Sequence, residues 1–352
     1  MQKRNDLNLI NQYRTPIMGV AALWIFFFHE WNPIMEGHWK AYAVETFFKR
    51  IGFCGVDIFF FLSGMGLVYA IGKYSVMTFY KRRLLRTFIP FFVIAVAMMV
   101  GKGWGADTFL KNLSGYNFYM SNMYSFLWFG PAIMTLYLIF PFYHFLFKKS
   151  ASKYQFTFAV LLIWVFLSLF VSGTLRGDLY GFTNRIPVFV IGVLAGWMVQ
   201  EKEWIFTKFT WVLCLMTFAM GLYLSYKTNY ENLYLVVPVS NCCIPNLLMT
   251  ISGCCLLAKG FSVVDTYWRL AGKVILKLFG FFGTISLEFY CVQEWIGQTI
   301  RGRMLDSYGK MCINAVDFVC VLAGALALYG ISWLIRFLLK SGYSICKSCI
   351  SR

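Results

Sequence analysis

Two clusters of side chains in this 352-residue sequence could do chemistry. The first begins with His29, which closes the run GVAALWIFFFH and is followed at once by Glu30 and Trp31. Histidine ionises near neutrality, so it suits proton abstraction from a substrate. An ionisable group after a dozen mostly apolar residues is a functional candidate by default. The plainer alternative is an interfacial histidine satisfied by water. On a helix Glu30 points about 100° away from His29, so it is placed to serve a nearby substrate or to end the helix. Asp57 is the more natural partner. A hydrogen bond from its carboxylate to one imidazole nitrogen would fix the tautomer and raise the basicity of the ring. Its alternative role is a helix N-cap.

The second cluster packs Lys81, Arg82, Arg83 and Arg86 into FYKRRLLRTFIP. Four cations so close together suit an anion such as the phosphates of a nucleotide-like molecule, and Arg82 and Arg86 lie one turn apart on one helix face. Basic loops also orient membrane spans and touch anionic lipid. Glu288, Asp317 and Arg185 are isolated charges in apolar surroundings and are expected to form internal polar pairs. The sequence has no Gly-rich phosphate loop, no Ser/His/Asp order and no metal-spaced His/Cys cluster. With three histidines in all, no metal is expected.

The elements that must position these groups are membrane helices. Hydrophobic residues make up 59% of the chain and charged ones 13%, about half the charge of a soluble domain. With a mean hydropathy of +0.64 and many long apolar runs, the fold class is all-α, a polytopic transmembrane helical bundle of about ten spans. These are expected near 15–33, 52–72, 87–104, 124–147, 154–173, 185–200, 205–226, 236–258, 276–297 and 312–338. Pro238 and Pro245 interrupt the eighth. The first run lacks a small-residue cleavage site and reads as a span, not a signal peptide. With both termini cytoplasmic, the inner side carries 21 of the 32 basic residues and the outer side 11, as the positive-inside rule requires. The whole chain, 1–352, then forms a single membrane-embedded domain with a cytoplasmic N-terminus at 1–14 and a tail at 339–352.

The outer connections, at 34–51, 105–123, 174–184, 227–235 and 298–311, read as short and polar. Gly192 and Gly196 form a small-xxx-small pair suited to close helix packing. Cys242, Cys243, Cys254, Cys255 and Cys291 read as small buried hydrophobes, and Cys346 with Cys349 is a lone C-x-x-C that cannot complete a four-ligand zinc site. The net charge of +17 is spread between spans, which argues for membrane orientation and against nucleic acid.

Taken together, these segments resemble the acyltransferase-3 family of integral membrane acyltransferases. AALWIFFFH is similar to the family's first-span motif ending in histidine, and GVDIFFFLSGMGLVYA to its Gly-Val-Asp-x-Phe-Phe-x-x-Ser-Gly signature. FYKRRLLRTFIP matches its basic segment, LWFGPAIMTLYLIFPF and RIPVFVIGVLAG its middle spans, and FGTISLEFYCVQEW its late Ser-x-x-x-Tyr span. The resemblance implies transfer of an acyl group, most simply acetyl from acetyl-CoA, across the membrane to a hydroxyl of an extracytoplasmic polysaccharide or glycolipid. It implies His29 as the catalytic base with Glu30 and Asp57 beside it. Phe60, Ser63 and Gly64 fall on the signature, and Lys81, Arg82, Arg83 and Arg86 would hold the acyl-CoA. Where the family often has an arginine, this chain has Met18, and Arg14, one turn earlier on the same face, would stand in. Gln293 occupies the usual late-span histidine position. The implied setting is a bacterial cytoplasmic (inner) membrane, in contact with lipid and compatible with a homo-oligomer. A transporter of glycan precursors or small solutes is the alternative in another class, though the internal repeats common in transporters are missing.

Overall fold

The computed structural model describes residues 5–122, 125–171, 177–231, 233, 235, 238–304 and 308–350. Fifteen α-helices follow one another: α1 (Asn8–Gln12), α2 (Arg14–Glu30), α3 (Trp39–Arg50), α4 (Gly55–Ile71), α5 (Val76–Lys102), α6 (Ala106–Leu113), α7 (Phe129–Lys149), α8 (Lys153–Phe170), α9 (Tyr180–Thr183), α10 (Ile186–Glu201), α11 (Lys208–Tyr230), α12 (Pro238–Tyr267), α13 (Arg269–Thr284), α14 (Ser286–Met304) and α15 (Lys310–Ile350). Among the described residues there are eight helices or joined helices long and apolar enough to cross a membrane. A ninth span exists if α13 and α14 count together as one broken helix. The 17 residues of α2 rise about 25 Å, a little short of the roughly 30 Å hydrocarbon core. Each of the ten expected spans thus meets a helix or a pair of helices, and the chain is a multi-pass membrane protein.

Four boundaries differ from expectation. The 34–51 connection contains α3, which leads through a 3-10 turn at Gly52–Cys54 into α4. The 105–123 connection contains α6 and a π-helical turn at Asn117–Ser121. α5 starts at Val76, so the basic cluster lies on its opening turns and not in a loop. The span expected at 276–297 is interrupted at Ile285. The side chains of Cys242, Cys346 and Cys349 lie outside the described residues, whereas Cys243, Cys254, Cys255 and Cys291 are buried and in no disulfide.

The backbone forms two compact units, residues 1–76 with 139–286 and residues 77–138 with 287–352. In the first unit α4 and α10 are apolar all round and buried, as such helices must be. They touch through glycines. A Cβ on Gly196 would stand 2.6 Å from the Met65 carbonyl oxygen, and one on Gly192 or Gly64 would collide with the Phe61 or Phe189 backbone. The small-xxx-small pair therefore has the packing role expected of it, with signature residue Gly64 on the opposing helix. α2 runs antiparallel to α4. Its start meets the end of α4, where the Arg14 guanidinium occupies the space a side chain on Gly66 would need. Its later turns lie on Gly52 and Gly55, whose Cβ atoms would come within 2.6 Å of the Trp24 oxygen and 2.8 Å of the Ala21 oxygen. Ser152 caps α8 and a Thr207–Thr210 capping box opens α11, satisfying N–H groups left over at a helix start. The outer faces carry exposed apolar side chains such as Phe158 and Phe166 on α8 and Leu213 and Met216 on α11, a surface suited to lipid.

In the second unit α5 continues through Pro90. The proline nitrogen has no hydrogen to give to the carbonyl four residues earlier, that of Arg86. Gly130 of α7 lies on the Phe91 ring, and Phe129 N–H donates to the Tyr290 hydroxyl at 3.3 Å, joining α7 to α14.

Candidate functional site

In the first unit, α2 and α4 pair antiparallel, with Gly55 at the start of α4 set against Ala21 and Ile25 of α2. Asp57, two residues further into α4, therefore lies level with the middle of α2 and not with the turn that carries His29, where equal depth was expected. His29 is half-buried, with its ring 4.7 Å from that of Phe28 in an edge-on arrangement. Glu30 is only 2% exposed and is the last residue of α2; Trp31 beyond it is extended. Arg14 lies at the opposite end of α2, about 22 Å from His29 by helical rise.

Asp57 is fully buried, and its Oδ2 is held by α12 and by the residue that opens α10. Asn246 of α12 donates its Nδ2 hydrogen to Asp57 Oδ2 at 3.1 Å, and the Arg185 Nε lies 3.7 Å from the same oxygen. The Asn246 carbonyl oxygen in turn accepts from the Cys54 thiol at 3.6 Å, and Cys54 Sγ is 3.4 Å from Ser225 Oγ. A second Arg185 nitrogen donates to the Gly181 carbonyl. The buried Arg185 has thus found its carboxylate, as its position in an apolar run required. Neither the helix-cap role nor an Asp57–imidazole hydrogen bond describes Asp57; it anchors a network across α4, α10 and α12.

Phe60 is fully buried with its ring 6.5 Å from Phe182, and Gly64 is the close-approach glycine already described. Ser63 between them is half-buried. Two of the three signature residues therefore pack α4 against its neighbours.

A residue with no local sequence signal organises the segment after His29. Glu45, on α3, accepts the Trp31 indole N–H at 2.7 Å, the Ile34 N–H at 3.1 Å and the Met35 N–H at 3.0 Å. Lys49 on the same helix donates to the Trp31 carbonyl. One carboxylate thus satisfies the donors of an irregular stretch that would otherwise need water. Only α3, hidden in a stretch read as a polar connection, could have revealed it.

In the second unit, Lys81, Arg82 and Arg86 are exposed and Arg83 is half-buried on the first turns of α5. Glu288 is 4% exposed and lies within electrostatic reach of Arg86 and of Arg336 on α15. Among the described residues Glu288 has no ion pair within contact distance, so the internal pair expected of it is replaced by this longer-range attraction, which also places Arg336 in the neighbourhood of the cluster. Asp317 and Gln293 are fully buried, and both side-chain polar atoms of Gln293 lack a hydrogen-bond partner among the described residues.

These residues could hold an anion on the basic turns of α5 and exchange a proton at the end of α2. Compared with known families, residues 19–336 match the family model described as an acyltransferase domain. No curated protein and no solved structure matches the chain.

Proposed function

This chain belongs to the acyltransferase domain family, a family of membrane acyltransferases, and on that premise we propose that it moves an acyl group from acyl-CoA, most simply acetyl-CoA, to a hydroxyl of an extracytoplasmic polysaccharide or glycolipid. The observation that carries this reading is the family match itself, which covers both units and all the candidate residues except Arg14.

His29 is the base. It removes the proton from the acceptor hydroxyl as that oxygen adds to the thioester carbonyl. The carbon–sulfur bond then breaks, the acyl group stays on the acceptor oxygen, and the sulfur leaves as a thiol with the proton that His29 returns. Glu30, buried at the same helix end, favours the imidazolium formed midway. Asp57 acts at one remove, positioning the start of α4 through Asn246 and Arg185. The exposed cations Lys81, Arg82 and Arg86, with Arg83 behind them, fit the phosphates of the donor, since charged hydrogen bonds from arginine to phosphate are strong and bidentate. Arg14 lies against Gly66, where it secures the start of α2 on α4.

Transfer of label from acetyl-CoA to acceptor glycan in reconstituted vesicles tests the scheme. His29→Ala should cut the rate by about 10²–10⁴-fold, the usual worth of a general base, and wild-type activity in that variant would remove His29 from the mechanism. Arg82→Glu/Arg83→Glu should weaken binding of acetyl-CoA at least about tenfold, a loss of about 1.4 kcal/mol or more. Unchanged donor affinity would place the phosphates elsewhere.

A further inference from the structure

The second unit contains a cavity of about 230 Å³ that has no part in the scheme above, lined by residues of α5, α6 and α14 and of the stretch before α7. Its chemistry comes from Lys102, Trp104, Asn112, Glu294 and Trp295. We infer that this cavity binds one neutral sugar residue.

The walls are held in place by specific local structure. α5 stops at Lys102, Gly103 takes φ +64°, and the Trp104 N–H returns to the Met99 carbonyl at 3.0 Å. That is the Schellman arrangement, in which a left-handed glycine ends the helix. It fixes Trp104, whose ring stands edge-on to Phe126 at 5.1 Å. On the other side the Trp295 indole lies against Gly101, where a Cβ would be 3.0 Å from the ring. Leu127, in the wall and 1% exposed, holds φ +47°, a left-handed backbone that costs a non-glycine residue about 1 kcal/mol or more. Strain of this kind collects where a site must keep its shape.

The polar groups have hydrogen-bonding capacity to spare. The Glu294 carboxyl makes no hydrogen bond to a described residue, and neither does the Lys102 ammonium. Asn112 is 7% exposed; its carbonyl oxygen accepts from Asn117 at 2.7 Å, which leaves its amide hydrogens without a described acceptor. Asn112 is buried and Glu294 half-buried, whereas Lys102 is exposed at the rim, so the cavity offers an amide and a carboxyl, with an ammonium at its edge, to something that both donates and accepts. Two indole faces beside them offer flat apolar surface. A pyranose has this combination, with hydroxyls round its edge and C–H groups on its faces. Lys102 and Glu294 cancel in charge, so a quaternary ammonium would meet the lysine and a phosphate would meet the glutamate. The volume lies below the roughly 300–1,000 Å³ of sites for drug-sized molecules, which suits a single sugar unit. That this sugar belongs to the acyl acceptor rests on the proposed function; the binding itself does not.

The probes are methyl glycosides of glucose, galactose, rhamnose and N-acetylglucosamine, measured by saturation-transfer NMR and equilibrium dialysis on the purified full chain. Choline and glycerol 3-phosphate serve as charged headgroup probes. At least one glycoside should bind, and Glu294→Gln and Trp295→Ala should each weaken it tenfold or more. Acetyl-CoA affinity should not change, and thermal stability reports that the variants are folded. Trp104→Phe, which keeps an aromatic face, should lose less than Trp295→Ala. His29→Ala should bind the glycoside like wild type while failing to transfer, so loss of the mechanism and loss of this site are read separately. No glycoside binding by wild type, binding unchanged in folded Glu294→Gln and Trp295→Ala, or tighter binding of either charged probe overturns the assignment.

Discussion

Asp57 and Arg185 decide more than their own ion pair. Both are buried, and the carboxylate is shared between the Arg185 guanidinium and the Asn246 amide. Removing one member of such a pair leaves the other charged, desolvated and uncompensated, at a cost of about 3–5 kcal/mol. Asp57→Ala should therefore lower the melting temperature of the protein in detergent sharply. Replacing both, Asp57→Leu with Arg185→Leu, should recover most of that loss, because a buried pair exchanged for apolar residues is often neutral. A double variant no more stable than Asp57→Ala would show that Asn246 and Cys54, and not the ion pair, carry the stability. The presence of an acid and a buried arginine was legible in the sequence, since each is an isolated charge in an apolar run. Their mutual pairing was not, because Asp57 and Arg185 are far apart in sequence and Asn246, the third partner, is a neutral amide after a proline. Glu45 escaped for a similar reason: its four acceptor contacts are to Trp31 and to backbone N–H groups, and a backbone leaves no trace in residue pattern.

The α4–α10 contact shows what an element can carry that single residues cannot. α4 holds Asp57 near its start and Gly64 at its centre, so any change of its seat on α10 moves the polar network. Ala at Gly196 would place a Cβ 2.6 Å from the Met65 oxygen, and backbone cannot give way as a side chain does. Gly196→Ala should cost about 1–3 kcal/mol as an overpacked contact and reduce acyl transfer with it. Gly72→Ala, where a Cβ meets nothing within 4 Å, should leave both unchanged, and thermal shift with parallel activity assays checks the contrast. Equal tolerance at both positions would mean that α4 and α10 are not in tight contact. Small residues four apart in an apolar run made this interface readable beforehand. α3 was not readable: Trp39–Arg50 mixes exposed Trp39, Val44 and Phe48 with Lys40, Lys49 and Arg50, a composition that is neither a clean span nor a plain loop. The break at Ile285 was hidden because an apolar run does not show where its helix stops.

At the scale of the whole molecule, the alternation of sides is tested by contacts that join distant parts of the chain. Asn5 donates to the Met198 and Lys202 carbonyls at 2.9 Å, the Phe206 N–H donates to Asp6 at 2.7 Å, and the Tyr13 hydroxyl reaches Asp265 at 3.1 Å. The N-terminus, the 201–207 turn and the end of α12 therefore lie on one side of the first unit, as the span count required. Arg50 donates to Tyr226 at 3.1 Å and accepts from Tyr230 at 2.8 Å, which gathers the end of α3 and the end of α11 on the other. Contacts establish which ends are together; the 21-to-11 split of basic residues argues which side is the cytoplasm. Single cysteines placed in a background without the natural eleven resolve it. With a membrane-impermeant maleimide on intact cells, Glu231→Cys should label, while Glu203→Cys and Lys73→Cys should label only after lysis. Lys73 is the informative position, since it precedes the basic turns of α5 by a few residues and reports the side on which acyl-CoA must bind. Labelling of Lys73→Cys in intact cells would place those cations outside, where no acyl-CoA pool exists to meet them, and the donor site would have to move; labelling of Glu203→Cys and Glu231→Cys together would break the alternation of spans on which the transfer from one face to the other depends.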